Sequence, residues 1–214
     1  MEKKDIINDI KKLFFNRKVD LQYEFDHIEA AILLPIVDTQ EGTSILFEVR
    51  SPELNWQPGE ICFPGGKIEE TDKSPMHAAI RETCEELQLS QDDIIVYGQL
   101  DRFYSQLGVM AHPYVGKIKD IQMVKSALDE VDEIFTVPLE FLLKSAPEEV
   151  EIELTTRPIS DNFPGELIKG YQKGYVRRKS YKLLFYRYKD YIIWGFTARI
   201  LKNFLDICKG KLSS

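Results

Sequence analysis

The chain has 214 residues, 43% hydrophobic and 29% charged, with 12 Gly and 10 Pro; this is the make-up of a folded domain and excludes a disordered tail, a collagen-like repeat and a low-complexity scaffold. Its 28 Lys and Arg against 35 Asp and Glu leave a formal net charge of -7, which argues against general nucleic-acid binding and against adhesion to anionic membranes. The three cysteines, Cys62, Cys84 and Cys208, share no C-x-x-C spacing, so neither a disulfide framework nor structural zinc is expected, and the default location is the cytoplasm.

In chain order, Ile6, Ile7, Ile10, Leu13 and Phe14 recur at helical spacing within an N-terminal extension over residues 1–25. Asp5, Asn8 and Asp9 interrupt any run that could serve as a signal-peptide core, and no stretch approaches the roughly 18 apolar residues of a membrane span. Ala30–Val37 and Ser44–Val49 read as a strand hairpin around Glu41-Gly42, whereas Arg50–Lys67 is too rich in Pro and Gly to be helical. Pro75–Leu87 is a helix, with Ser74 able to cap it and Pro75 at its first position. Strands follow at Ile94–Leu100, Ala111–Ile118 and Glu133–Val137, a short helix at Leu139–Leu143, and strands at Tyr181–Tyr188 and Tyr191–Trp194. An amphipathic helix over Thr197–Cys208 closes the chain. No internal repeat is visible, and the pattern indicates α/β or α+β layers in a single domain over residues 1–214.

Charge is unevenly distributed late in the chain. Between Asp129 and Glu153 there are nine acids and one base; between Arg157 and Tyr191 there are nine bases and three acids. These blocks are either two solvated surfaces or a cation-binding region beside a phosphate-binding region.

The segment with the most chemistry is Gly65 to Leu89, GGKIEETDKSPMHAAIRETCEELQL. Glu82, Glu85 and Glu86 stand at i, i+3 and i+4, so all three are expected to project from one helix face while Met76, Ile80, Thr83, Cys84 and Leu87 lie opposite. Like charges at this spacing repel, and a divalent cation reverses the sign, because hard cations prefer carboxylate oxygens. Glu triplets on helices are also commonly just solvated, and Arg81 could serve only a surface ion pair with Glu85. The preceding Phe63-Pro64-Gly65-Gly66 favours the metal reading, since it turns sharply and leaves backbone groups unshielded.

Gly66 to Leu89 resembles the Nudix box, G-x5-E-x7-R-E-U-x-E-E-x-G-U with U aliphatic, through Gly66, Arg81, Glu82, Thr83, Glu85, Glu86 and Leu89. Asp72 stands where Glu is usual, the gap to Arg81 is one residue longer, and Gln88 replaces the Gly that ends the helix. The longer spacing and the run Gly65-Gly66-Lys67-Ile68-Glu69-Glu70-Thr71-Asp72 are similar to the coenzyme A diphosphatase branch of that family. So are Arg50-Ser51, Gly59 to Gly66, Glu130 to Phe135 and Ile193 to Ala198, although an Arg usual between Arg50 and Gly59 is absent, with Asn55 near its place.

The resemblance implies a Nudix α/β/α sandwich with a mixed β-sheet, its box spanning residues 65–89. It implies Mg²⁺- or Mn²⁺-dependent hydrolysis of coenzyme A or acyl-CoA to 3′,5′-ADP and 4′-phosphopantetheine or its acyl derivative. Glu82 and Glu86 would be the main metal ligands with the Gly65 carbonyl. Glu85 would be a further ligand or the general base, oriented by Arg81. Glu130 would be a late-loop acid helping the water. Arg50, Gly66 and Lys67 would bind substrate. The basic stretch suggests Arg177 and Arg178 for the 3′-phosphate, although the family motifs do not reach them. A small-molecule nucleotide is the expected partner, with no nucleic acid and no membrane, and a homodimer is compatible with the chain. The alternatives are hydrolysis of ADP-ribose or NADH, and a catalytically silent nucleotide sensor. His112 and His77 are expected to have no special role, Cys62 and Cys84 to be core thiols, and Trp56 either to stack on adenine or to cover the fold's edge.

Overall fold

The computed structural model describes residues 6–15, 17, 27–106, 108–171 and 173–212. Helix α1 (Ile6–Phe15) precedes strands β1 (Ile28–Thr39), β2 (Gly42–Arg50), β3 (Ile61–Cys62) and β4 (Gly65–Lys67). Helix α2 (Pro75–Leu87) leads to β5 (Ile94–Gln99), β6 (Phe103–Tyr104), β7 (Val109–Ile118), β8 (Val131–Pro138) and helix α3 (Leu139–Lys144). Strands β9 (Glu148–Thr156), β10 (Val176–Tyr188) and β11 (Tyr191–Trp194) and helix α4 (Gly195–Leu212) complete the chain. The rest of the predicted N-terminal extension, residues 1–5, 16 and 18–25, lies outside the described residues. Among the described residues no helix is long and apolar enough to cross a membrane.

Among the described residues, eight strands form a mixed sheet whose central pair, β1 and β7, runs parallel from Ile28↔Val109 to Ile36↔Lys117. The alternation along β1 divides the core in two. Ala31, Leu33 and Val37 join Leu46, Ala78, Ala79 and Leu87 beneath α2, while Ile32 and Leu34 join Ile45, Phe47, Leu142, Leu201 and Leu205 beneath α3 and α4. Helices therefore cover both faces, and the fold is the expected α/β/α sandwich with a mixed sheet. A second sheet, in the order β11-β10-β9, packs beside α4 through Leu184 and Ile193.

Two departures from the predicted elements matter for the site. First, β1 and β2 are paired only near their hairpin, from Ile36↔Ile45 to Thr39↔Gly42. Beyond that they splay, and the Pro- and Gly-rich loop fills the gap. Strand β3 pairs with β2 at Glu48↔Cys62, and β4 pairs with β1 at Ile32↔Gly65. Second, β9 was not predicted, and β10 begins at Val176 rather than Tyr181. Strand β9 alternates Val150, Ile152 and Leu154 with Glu149, Glu151 and Glu153, yet it is exposed along nearly its whole length and is held by charge and backbone pairing. Glu148 meets Arg187, Glu149 meets Lys182 and Glu153 meets Arg177 across the β9–β10 pair. The β9 end of the acidic block and part of the basic block are thus cross-strand partners.

Candidate active site

Helix α2 starts as predicted: the Ser74 hydroxyl accepts the His77 amide at 3.2 Å and Pro75 occupies the first turn. At its other end Gln88 adopts the left-handed conformation (φ 52°) that the replaced Gly would take freely. The buried stripe consists of Ala78, Ala79, Thr83, Glu86 and Leu87. Positions 79, 83 and 86 follow the i, i+4, i+7 spacing of one helix face, so Glu86 belongs to the stripe that packs on the sheet. This corrects the expectation of three carboxylates on one open face. Glu85 is 56% exposed and Glu82 16%, whereas Glu86 is only 4% exposed. Met76, assigned to the apolar side, is largely exposed.

The glycine loop meets these carboxylates directly. The Gly65 amide donates to Glu86 Oε2 at 2.8 Å. Gly65 lies at φ 146°, where a Cβ would stand 2.4 Å from the Ala31 carbonyl oxygen, so no larger residue fits between β1 and α2. At Gly66 a Cβ would come within 2.4–2.6 Å of the Glu82 carboxylate. Residues Pro64 to Lys67 are tied down on both sides, as the Pro64 carbonyl accepts the Leu33 amide and the Lys67 carbonyl accepts Arg81 Nη2.

Arg81 is the hub of the cluster. Its Nη1 lies 2.9 Å from Glu82 Oε1 and 3.0 Å from Glu85 Oε2, while Nε and Nη2 grip Asp72 at 3.1 and 2.9 Å. Asp72 also accepts the Glu69 amide and the His77 ring. The shorter acid at this box position is therefore a fully engaged anchor, and His77, expected to have no role, is one of its partners. The Arg81 guanidinium and these further donors hold the Asp72 carboxyl well below the usual carboxylate range.

Glu86 shows the opposite shift. Burial pushes its carboxyl up to about 8, with the charges of Glu82 and Glu130 adding to the effect and the Gly65 amide opposing it. A residue not singled out in the sequence, Glu48, lies beside it on β2. Glu48 is 1% exposed, and burial followed by the charge of Glu86 raises its carboxyl well above the usual range. Its Oε1 has no hydrogen-bond partner, and its Oε2 receives only the Cys62 thiol at 4.0 Å. A polar residue in a strand carries no sequence signal of this kind; only the splay of β1 and β2 places Glu48 under α2.

The other predicted residues divide into two groups. Glu130 is exposed, but its carbonyl accepts the Ser51 amide at the end of β2, and its charge acts on Glu48, Glu82 and Glu86. Arg50, Gly65, Gly66 and Lys67 line a cavity of ≈ 850 Å³ whose walls include Ile32, Phe63, Phe103, Trp194 and Phe196. Trp56 lines it as well, and its carbonyl accepts Arg50 Nε at 3.4 Å. Arg177 and Arg178 are not brought there. They lie exposed on β10, Arg177 3.9 Å from Glu153 and Arg178 bonded to the Thr156 hydroxyl, while the cationic residues of β10 and α4 that do reach the cavity are Lys182 and Arg199. Cys62 also borders the cavity, and burial pushes its thiol up, away from the reactive thiolate. His112 is buried and bonded to Glu29 at 3.1 Å.

The donor set is suited to a hard divalent cation. It consists of carboxylate oxygens, one of them an orphaned buried atom, beside a backbone loop that admits no side chain at Gly65. Among the described residues no three such side chains already stand at cage spacing; Arg81 holds Glu82 and Glu85, and the Gly65 amide holds Glu86.

An α/β/α sandwich with an Arg-anchored carboxylate helix against a glycine loop defines a class, and residues 27–157 match the NUDIX domain. The chain belongs to the Nudix family. Over 139 residues it is 32% identical to the peroxisomal coenzyme A diphosphatase ndx-8 of Caenorhabditis elegans, a match covering 64% of this chain and 59% of that protein. It is 31% identical over 142 residues to the peroxisomal coenzyme A diphosphatase NUDT7 of Mus musculus, covering 65% and 59%. The chain thus spans about three fifths of the length of these relatives. The uncharacterized Nudix hydrolase NudL of Escherichia coli is 29% identical over 178 residues, covering 83% of this chain and 81% of that protein.

Proposed function

We propose that the protein hydrolyses the diphosphate bond of coenzyme A or acyl-CoA with Mg²⁺ or Mn²⁺, releasing 3′,5′-ADP and 4′-phosphopantetheine or its acyl derivative. The observation that carries this reading is the meeting of the Glu82–Glu86 carboxylate cluster, through Gly65 and Gly66, with a large cavity that is apolar along most of its wall. A diphosphate flanked by a nucleotide and a long, weakly polar tail suits that combination. The two coenzyme A diphosphatases among the relatives support the same substrate class.

Glu82, Glu86 and the Gly65 carbonyl would hold the cation. When bound, a divalent cation neutralises phosphate charge and acidifies a coordinated water. Arg50 and Lys67, which line the cavity, bind phosphate oxygens, and Gly66 lets the diphosphate approach the backbone. Glu85 is oriented through Oε2 by Arg81, and its second oxygen takes the proton from the attacking water. Glu130, whose charge reaches Glu82 and Glu86, orients that water. Arg81 acts by positioning Glu85 and Glu82 and does not touch substrate.

The test is a panel of coenzyme A, an acyl-CoA, ADP-ribose and NADH, each with Mg²⁺ or Mn²⁺. The reading requires the highest kcat/KM on coenzyme A or the acyl-CoA. Preference for ADP-ribose or NADH would move the protein to another substrate of the same chemistry, and no turnover of any substrate would make it a nucleotide sensor.

A further inference from the structure

We infer that Glu48 is an additional ligand of the divalent cation held by Glu82 and Glu86, a carboxylate delivered from the sheet rather than from the helix. The inference rests on the metal-dependent reading above and concerns a residue outside the box motif.

The placement follows from the strand. Ile45, Phe47 and Val49 face α4, so Leu46 and Glu48 face α2. Leu46 is fully buried beneath the helix, and Glu48, one step further along the same face, comes up beside Glu86. Its neighbours across the sheet are Cys62 on β3 and Ile134 on β8. Arg50, two residues on, forms no ion pair with it, its Nε turning to the Trp56 carbonyl, and its charge only partly opposes the effect of burial on Glu48. The result is a carboxyl group, 1% exposed, with one oxygen lacking any partner and the other facing only a thiol.

Burying such a group beside a second carboxylate is unfavourable unless something binds it. The position has no packing reason to be acidic, since an apolar or hydroxyl side chain would fill the same space under α2. The cation that Glu86 helps to hold supplies the missing partner, because it takes a free carboxylate oxygen as ligand and cancels the repulsion between the two acids. Glu48 then contributes an oxygen from below the site while Glu82 contributes one from the helix.

The direct test is Mn²⁺ binding to the full chain, followed by the electron paramagnetic resonance signal of free Mn²⁺ with 3′,5′-ADP present to supply phosphate oxygens. Parent, Glu48→Gln and Glu48→Asp are compared, with circular dichroism and metal-free melting as checks on folding. The expected result is a Glu48→Gln protein that melts no lower than the parent without metal yet binds Mn²⁺ at least about tenfold more weakly. Should Glu48→Gln fail to fold, Glu48→Asp, which keeps the charge but withdraws it by one methylene, must show the weakening. Unchanged Mn²⁺ affinity in the folded variant would overturn the inference while leaving the proposed reaction intact. A parent that neither binds Mn²⁺ nor hydrolyses the panel with it would overturn both.

Discussion

Asp72 and Glu86 lie at opposite ends of one carboxylate network and respond to pH with opposite signs. Asp72, 1% exposed and gripped by Arg81, has a folded pKa far below its unfolded value. Its contribution is therefore complete above about pH 4 and is lost as pH falls below that. We expect Asp72→Asn to cost about 3 kcal/mol at pH 7, the order seen when a buried pair loses a partner, and to flatten the decline in stability on acidification; urea unfolding at pH 7 and pH 3.5 measures both. Glu86 is raised, to about 8, so the metal-free protein loses stability as pH climbs from the ordinary carboxylate value toward 8. Glu86→Gln should remove that decline and raise the metal-free Tm by at least about 2–4 °C, the shift that 1 kcal/mol gives at this size, while cutting Mg²⁺-dependent turnover by about a hundredfold or more. An unchanged Tm would mean that the carboxylate is not buried as described. The sequence pattern was enough to find Glu82, Glu85, Glu86 and Arg81, because helical spacing puts them together. It could not find Glu48 or the His77–Asp72 contact, which depend on strands and loops distant in the chain.

Helix α2 and the β9–β10 pair show which elements their own residues determine. The cap at Ser74 and Pro75 was legible because capping is local chemistry. The strain at the other end was legible too, as Gln88 occupies the position of the usual Gly and does take positive φ. We expect Gln88→Gly to stabilise the protein by roughly 0.5–1 kcal/mol, read as a higher urea midpoint at unchanged slope; the lost Gln88–Ser126 contact is exposed and 3.3 Å long, too weak to reverse the sign. Strand β9 carries a local signal too, the alternation of Val150, Ile152 and Leu154 with Glu149, Glu151 and Glu153, although it was not predicted. Its sequence, EEVEIELTT, buries almost nothing, and its pairing with a basic strand beginning some twenty residues later holds it in place. The same pairing accounts for the parts of the charge blocks on β9 and β10, since acids opposite bases need neither a bound cation nor a bound phosphate.

Across the molecule, the layered architecture was legible from alternating strands and amphipathic helices, whereas the cavity was not, because the mixed sheet, the glycine loop and the second sheet all contribute to it. Its lining includes Lys182 and Arg199 but neither Arg177 nor Arg178. Arg177→Ala/Arg178→Ala should leave the kcat/KM ratio of coenzyme A to dephospho-coenzyme A within about twofold of the parent, because both side chains are committed to β9. Arg50→Ala should lower kcat/KM on both substrates by about tenfold or more, the loss of a charge-assisted phosphate contact of about 1.5–3 kcal/mol. The central claim is the bond that is cut, and product analysis tests it most directly. Coenzyme A incubated with the protein and Mg²⁺ in H₂¹⁸O should yield 3′,5′-ADP and 4′-phosphopantetheine in equal amounts, one of them carrying a single ¹⁸O on phosphorus. Intact coenzyme A under conditions that cleave ADP-ribose or NADH, or release of inorganic phosphate in place of the two halves, would contradict it.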